Sequence, residues 1–303
     1  MKKIAISGLG KMGMQIVRKL IEDGFEVIAH DINKGTVEDA VSYGAKSAYT
    51  KEDVVETFKG DQLILWIMVP SEVVDETLDS WLGLIPKGSI IIDGGNSDFR
   101  LTKKRSKKVA DSGSYMFDVG TSGGIWGYKN GFSMMAGGPK EQFKDIERIL
   151  QTLAKPTGAY HYFGESGSGH FVKMTHNAIE YGMMESLAEG FNLLKNGPYK
   201  DIDLGSAGEV WQHRSVVTSW LNELCRDILK ENPELEGIEG KVAESGEARW
   251  MLEASKEFNI PTPSIQASFD VRLDSQKGNI NFATKLLAAM RNAFGGHKIN
   301  IDK

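Results

Sequence analysis

Lys3-Ile4-Ala5-Ile6-Ser7-Gly8-Leu9-Gly10-Lys11-Met12-Gly13 is the stretch from which the fold can be read. Lys3–Ser7 is an apolar run of strand length. Gly8, Gly10 and Gly13 then fit the spacing G-x-G-x-x-G. The following segment, Met12–Asp23, places Met12, Ile16, Val17 and Leu20 at helical spacing. A short glycine pattern is weak by itself. A strand before it, a helix after it and a second strand, Glu26–His30, ending at Asp31 make it a dinucleotide-binding turn. Gly8 permits the tight turn, Gly10 lets a pyrophosphate approach the backbone, and Gly13 lets helix and strand pack closely. The helix N-terminus favours the phosphate charge. Leu9, Lys11 and Met12 belong to the same cofactor loop. A carboxylate at Asp31 accepts from the adenosine ribose hydroxyls and repels the extra phosphate of NADP. NAD is therefore the expected cofactor, with NADP less favoured.

Working outward, strand and helix patterns alternate: a helical stretch ending near Gly44, strand Gln62–Val69, helix Val73–Trp81 and strand Ser89–Asp93. A basic helix Thr102–Ser112 follows, then strands Tyr115–Val119 and Phe132–Ala136 and helix Gln142–Leu153. Apolar strands alternating with helices imply a parallel sheet covered on both faces. After Gly164 the texture changes to long helices: Phe171–Lys195, Ala207–Lys230, Ala248–Phe258, Ile265–Asp274 and Phe282–Phe294. Pro233, Pro261 and Pro263 mark breaks between them. The expected fold is an α/β, Rossmann-like doubly wound sheet over residues 1–165, followed by an all-α domain over 166–303 for substrate binding and oligomerisation.

The 303-residue length suits two domains, each able to bury a core. A net charge of −5 argues against a nucleic-acid surface. Cys225 is the only cysteine, so an intrachain disulfide is excluded, and packing is its expected role. No leader pattern precedes Lys2–Ser7, and the longest apolar run, Leu63–Pro70, is too short to span a membrane. A cytoplasmic protein with no membrane partner is expected, and no metal ion is assigned.

The most informative chemistry lies in Gly167–Tyr181. Lys173, His176, Asn177, Glu180 and Tyr181 fall at i, i+3, i+4, i+7 and i+8, one stripe of a helix. A cation, an imidazole, an amide, a carboxylate and a phenol together resemble neither a core face nor the Lys/Glu mixture of a solvated face. Oxidation of a secondary alcohol needs a base at the hydroxyl, and a partly desolvated lysine can serve. Reprotonated, the same lysine polarises the new ketone and assists loss of carbon dioxide from a β-keto acid. Glu180 can then protonate the enol.

These residues make the chain resemble the 6-phosphogluconate dehydrogenase family, within the β-hydroxyacid dehydrogenases, over essentially its whole length. Met68-Val69-Pro70 falls where that family passes its backbone beside the cofactor. Ile92-Asp93-Gly94-Gly95-Asn96-Ser97 is similar to its Asp-Gly-Gly-Asn strand end, which implies that Asn96 touches substrate and nicotinamide. Thr121-Ser122-Gly123-Gly124 is similar to its substrate loop. The resemblance implies Lys173 as general base and Glu180 as general acid. It implies substrate contacts for Ser122, Gly123, Gly124, His176, Asn177 and Tyr181, and a phosphate contact for Arg272. Arg291–His297 resembles a tail that completes a neighbouring subunit's site, with Arg291 on the phosphate and His297 on another oxygen. A homodimer or homotetramer acting on a small sugar phosphate acid is implied. Two departures stand out. The chain has room only for a short helical domain. The family's lysine before a Gly-Thr-Gly-Lys-Trp run is absent at Ser245-Gly246-Glu247-Ala248-Arg249-Trp250, where Arg249 is the available cation.

The implied reaction is NAD-dependent oxidative decarboxylation of 6-phosphogluconate to ribulose 5-phosphate. One alternative is a non-decarboxylating relative, of the 3-hydroxyisobutyrate or tartronate semialdehyde reductase type, which has no need of Glu180 or of the Arg291/His297 tail. The other is a non-enzymatic dinucleotide sensor, which has no use for an acid–base stripe.

Overall fold

The computed structural model describes residues 3–296; His297 lies outside them. The chain forms two compact units, Met1–Met174 and Thr175–Lys303. In chain order the first unit contains β1 (Lys3–Ser7), α1 (Lys11–Glu22), β2 (Glu26–His30), α2 (Lys34–Ser42), β3 (Lys46–Ala48), α3 (Lys51–Thr57), β4 (Ile64–Ile67) and α4 (Val74–Leu82). It continues with β5 (Ile90–Asp93), α5 (Phe99–Asp111), β6 (Tyr115–Ser122), α6 (Gly127–Asn130), β7 (Ser133–Gly137), α7 (Phe143–Ala154) and β8 (Tyr160–Gly164).

The strands make one sheet in the order β3-β2-β1-β4-β5-β6-β7-β8. The two-residue period sorts its side chains onto two faces. Ile4, Ile6, Ile90 and Ile92 enter the core that includes α1 and α7, whereas Ala5 and Ile91 enter the one that includes α3 and α4. This is the Rossmann-like layout expected, with one correction: β7 runs antiparallel to β6, so the sheet is mostly and not wholly parallel. The connection over residues 123–132 is too short for a covering crossover, and a short link returns the chain alongside its predecessor.

Four elements escape the sequence reading, the one-turn α6 among them. β3 and β8 are edge strands, each paired on one side only and without a long apolar run. α3 is announced by a capping box: Thr50 accepts from the Asp53 amide at 3.1 Å and Asp53 accepts from the Thr50 amide at 3.0 Å. α5 begins earlier than expected because the Asp98 carboxylate caps it at the Arg100 amide, 2.8 Å away.

α8 (Ser168–Asn196) carries the chain into the second unit, which is helical: α9 (Leu204–Gln212), α10 (Trp220–Glu231), α11 (Glu247–Glu257), α12 (Pro263–Gln276) and α13 (Phe282–Gly295). The single helix expected over Ala207–Lys230 is two helices. Arg214 adopts a left-handed backbone conformation, φ 60°, and Ser219 restarts the helix by accepting from the Asn222 amide at 3.1 Å. Cys225 packs in the main core of this unit against Met290, and burial pushes its thiol up to about 12. Among the described residues no helix is long and apolar enough to cross a membrane.

Candidate active site

In the first unit the candidate site gathers at the C-terminal ends of the central strands. The glycine turn is wedged between two of them: the Gly8 amide donates to His30 O at 3.0 Å, and the Met68 amide donates to Ser7 O at 2.8 Å. Gly8 has φ +100°, and a Cβ there would lie 2.3 Å from Met68 O. A Cβ on Gly13 would lie 2.0 Å from Gly8 O, so α1 packs directly on the turn. Gly10 is different, because nothing lies within 4 Å of its Cβ position. The turn is closed where helix meets strand and open where a ligand must approach. α1 has no side-chain cap and no acid in its first turn, leaving its amides to attract an anion. These features fit a dinucleotide pyrophosphate. Lys11 is exposed and Met12 half-buried on the same turn, and Leu9 is buried.

Asp31 follows β2 and binds this turn. Its carboxylate accepts from the Leu9 amide at 2.6 Å and the Asn33 amide at 2.8 Å. The negative charge is therefore fixed beside the turn by the backbone. Met68 and Val69, both half-buried, flank Gly8, and Pro70 is exposed.

The loop after β5 is built by Asp93, which is 1% exposed. Its carboxylate accepts from Gly95 N at 3.2 Å and Ser97 Oγ at 2.9 Å, and Arg105 Nη1 stands 4.0 Å away. Arg105 is itself held by a two-pronged pair with Asp75, both contacts at 2.8 Å. Gly94 admits no side chain, since a Cβ would lie 2.0 Å from Trp66 Nε1. Asn96 is thus presented, exposed, at the loop tip. Ser122 ends β6, and Gly123 and Gly124 turn the chain at φ +132° and +51°.

Lys173 is buried, 6% exposed. Its placement depends on a residue the sequence reading passed over. Asp118, in the middle of β6 and fully buried, accepts from the Gly167 and His170 amides, both at 2.8 Å. That carboxylate caps the start of α8. Gly169 lies flat on the sheet, its Cβ position 2.4 Å from Met135 O, and the buried His170 ring meets Thr102 Oγ1 at 2.7 Å through Nδ1. Gly120 leaves the space that Lys173 fills, because a Cβ there would lie 2.3 Å from Lys173 Cβ. The visible signal was an acid inside the apolar run Tyr115–Val119.

In the second unit, His176, Asn177, Glu180 and Tyr181 all stand on α8. Asn177 Nδ2 donates to Glu247 Oε1 at 2.8 Å, and its Oδ1 lies 2.9 Å from His176 Nδ1. Glu247, 2% exposed at the start of α11, is a second residue the sequence reading missed. Tyr181 is buried, and its hydroxyl accepts from the Ser245 amide at 3.2 Å. The Arg272 guanidinium stacks 3.3 Å from the centre of the Tyr181 ring. Arg272 is 1% exposed and makes no ion pair among the described residues; Met184 Sδ and Ala243 O lie at 3.5 Å each. Its Nε has no hydrogen-bond partner among the described residues. Burial pushes this guanidinium down to about 10, and Arg291 nearby reinforces the shift. Arg291, half-buried on α13, is likewise lowered by burial; Tyr181, Glu180, Glu247 and Glu244 of its own chain are the groups that oppose the shift. Arg249 pairs with Glu244.

Family models match almost the whole chain: the NAD binding domain of 6-phosphogluconate dehydrogenase over residues 3–164, and the C-terminal domain of 6-phosphogluconate dehydrogenase over residues 169–283. A Haloferax volcanii protein named as an NAD-dependent, decarboxylating 6-phosphogluconate dehydrogenase is 35% identical, over 98% of this chain and 98% of that one. Among solved structures, Plasmodium falciparum 6-phosphogluconate dehydrogenase, described with NADP and with 6-phosphogluconate, aligns with a TM-score of 0.81 at 25% identity, covering 95% of this chain and 70% of that one. Mycobacterium tuberculosis 3-hydroxyisobutyrate dehydrogenase shares the fold, with a TM-score of 0.75 at 18% identity over 94% and 98% of the two chains.

The Asp118 cap gives a direct test. Asp118→Ala leaves two buried amides without an acceptor, which should cost about 2–4 kcal/mol. Urea unfolding should show that loss. Turnover should fall at least about tenfold through misplacement of Lys173, while NAD affinity stays within about threefold, because the glycine turn is untouched. Unchanged turnover in a folded Asp118→Ala protein would contradict the cap's role.

Proposed function

The chain belongs to the 6-phosphogluconate dehydrogenase family, and on that footing we propose that it oxidises and decarboxylates 6-phosphogluconate to ribulose 5-phosphate with NAD as acceptor. The observation that carries the reading is the buried Lys173, fixed by the capped start of α8 in a unit that also carries the dinucleotide turn. A sensor of dinucleotides needs the turn but not a lysine held in this way.

NAD, held at the turn of Gly8, Gly10 and Gly13, would supply the acceptor for a hydride from the carbinol carbon β to the carboxylate. Lys173 takes the hydroxyl proton and, now charged, polarises the ketone while carbon dioxide leaves. Glu180 returns a proton to the enediol carbon. Asn96, Ser122, Gly123 and Gly124 contact the sugar acid, as do His176, Asn177 and Tyr181, with Asn177 oriented by Glu247. Arg272 takes the phosphate, joined by Arg291 from the tail of a neighbouring subunit. Arginine suits that part because its fork binds phosphate oxygens by charge-assisted hydrogen bonds. Preference for NAD is supported by the Asp31 carboxylate, and by the Haloferax relative, which is named as NAD-dependent. A homodimer or homotetramer in the cytoplasm completes the proposal, on the resemblance of the tail.

The non-decarboxylating reading suits the fold shared with the Mycobacterium dehydrogenase, but it gives no task to Glu180 or to the Arg291 tail. Carbon dioxide release during turnover on 6-phosphogluconate separates the two.

Three outcomes are expected. Wild-type kcat/KM should be higher with NAD than with NADP, and Asp31→Ala should narrow the gap; a wild-type preference for NADP would refute the reading of Asp31. Lys173→Ala should lose roughly 10²–10⁴-fold in turnover with NAD affinity intact by titration. Glu180→Gln should slow release of the pentulose more than hydride transfer, so NADH should appear ahead of product in a rapid-mixing trace. Equal loss of both steps would count against Glu180 as the acid.

A further inference from the structure

Glu185 has no part in the chemistry above, yet it is a carboxyl group only 7% exposed, one residue from Met184 on α8. Among the described residues it forms neither a hydrogen bond nor an ion pair, and Arg272, within its electrostatic reach, forms no ion pair there either. A buried acid and a buried base thus share one cluster without closing on each other. Among the described residues, the charged groups acting on Glu185 are Glu189 on α8 and Arg272 on α12. Around Arg272 stand Tyr181 and Glu180 on α8 and Arg291 on α13.

We propose that Glu185 couples proton uptake to anion binding at Arg272, acting on the anion through the guanidinium instead of touching it. The proposal rests on the reading of Arg272 as an anion ligand. While no anion is bound, the Glu185 carboxylate is a counter-charge for the buried guanidinium. Burial, with Glu189 as a second carboxylate beside it, raises Glu185 to about 7, and Arg272 holds it from rising further. An arriving dianion satisfies Arg272 and repels an ionised Glu185, which takes one proton from solvent. No bond is made or broken apart from that protonation. By linkage, a proton taken up on binding means an affinity that falls as pH rises. Glu185 is therefore a positioning residue, and it sets the pH at which the anion is held and released.

Sulfate is a suitable probe because it stays a dianion throughout the range tested. Titration calorimetry of the full chain at fixed ionic strength should show sulfate affinity falling roughly five- to tenfold from pH 6.5 to 8.5, within the limit of about tenfold per pH unit for one proton. Near pH 7, titrations in two buffers of different ionisation enthalpy should reveal net proton uptake. Glu185→Gln should bind sulfate at the low-pH strength at every pH, with no uptake assigned to this site. The same variant distinguishes Glu185 from His176 as the group that takes the proton. Flat affinity and no uptake in the wild type would overturn the coupling, and this result does not depend on whether the variant folds. Wild-type pH dependence persisting in Glu185→Gln would overturn it too. Arg272→Met tests the underlying reading: sulfate binding that survives it, or is absent from the wild type, would remove the anion site itself. Binding abolished by Arg272→Met but flat with pH would leave that site standing and sink only the role of Glu185.

Discussion

The carboxylate of Asp118 is the contact on which the chemistry of the first unit depends. An ionised group with no access to water is costly unless something of opposite sign meets it. Here it is met by two amides at the N-terminus of a 29-residue helix, where the aligned peptide dipoles leave partial positive charge. The same contact satisfies donors that a helix start otherwise leaves open. Strand and helix are therefore locked at one point by a bond that neither a shorter nor a neutral apolar side chain reproduces. Two residues further along the same face of β6, Gly120 opens the gap that Lys173 occupies. The strand thus offers an acid to hold the helix and a vacancy to receive its lysine.

What the sequence made legible follows from how local each constraint is. The turn at Gly8–Gly13 is set by steric demands within a few residues, so its glycines announce it. The strand and helix pattern is equally local, and most elements fall where their apolar spacing puts them. Long-range causes left weaker traces. β7 reverses because of the length of a connection and not because of its own residues. α9 and α10 were joined because the apolar spacing runs on, although the backbone breaks at Arg214. Asp118 was read as part of a strand because its partners lie 49 and 52 residues away. Glu247 was hidden for the same reason, 70 residues from Asn177. In both cases the usable signal was a charged residue that the fold buries, and burial is not visible in one sequence.

On the proposed reading, the two units meet negative charge by different means. In the first, anion recognition is assigned to backbone: an uncapped helix start and glycines that clear the approach, beside an acid at Asp31 that the turn's own amides hold in place. Such a site carries little cost when no ligand is bound, since open amides can face water. In the second, the candidate anion ligand is a guanidinium already stripped of water by the fold, with a ring face, a sulfur and a carbonyl as company. A cation held that way is destabilising until a counter-charge arrives.

That asymmetry has a use. The desolvation of Arg272 is borne by folding, so an incoming anion has only its own hydration to give up, and the guanidinium needs no reorganisation to receive it. The fold can carry this burden because the cation is not wholly uncompensated. The Tyr181 ring offers its negative face, and Glu180 and Glu185 stand within electrostatic reach. None of these closes into an ion pair with Arg272. A carboxylate in direct contact would satisfy the guanidinium permanently and compete with any ligand. Kept at a distance, the acids temper the cost and leave the fork of the arginine available to a ligand that comes and goes.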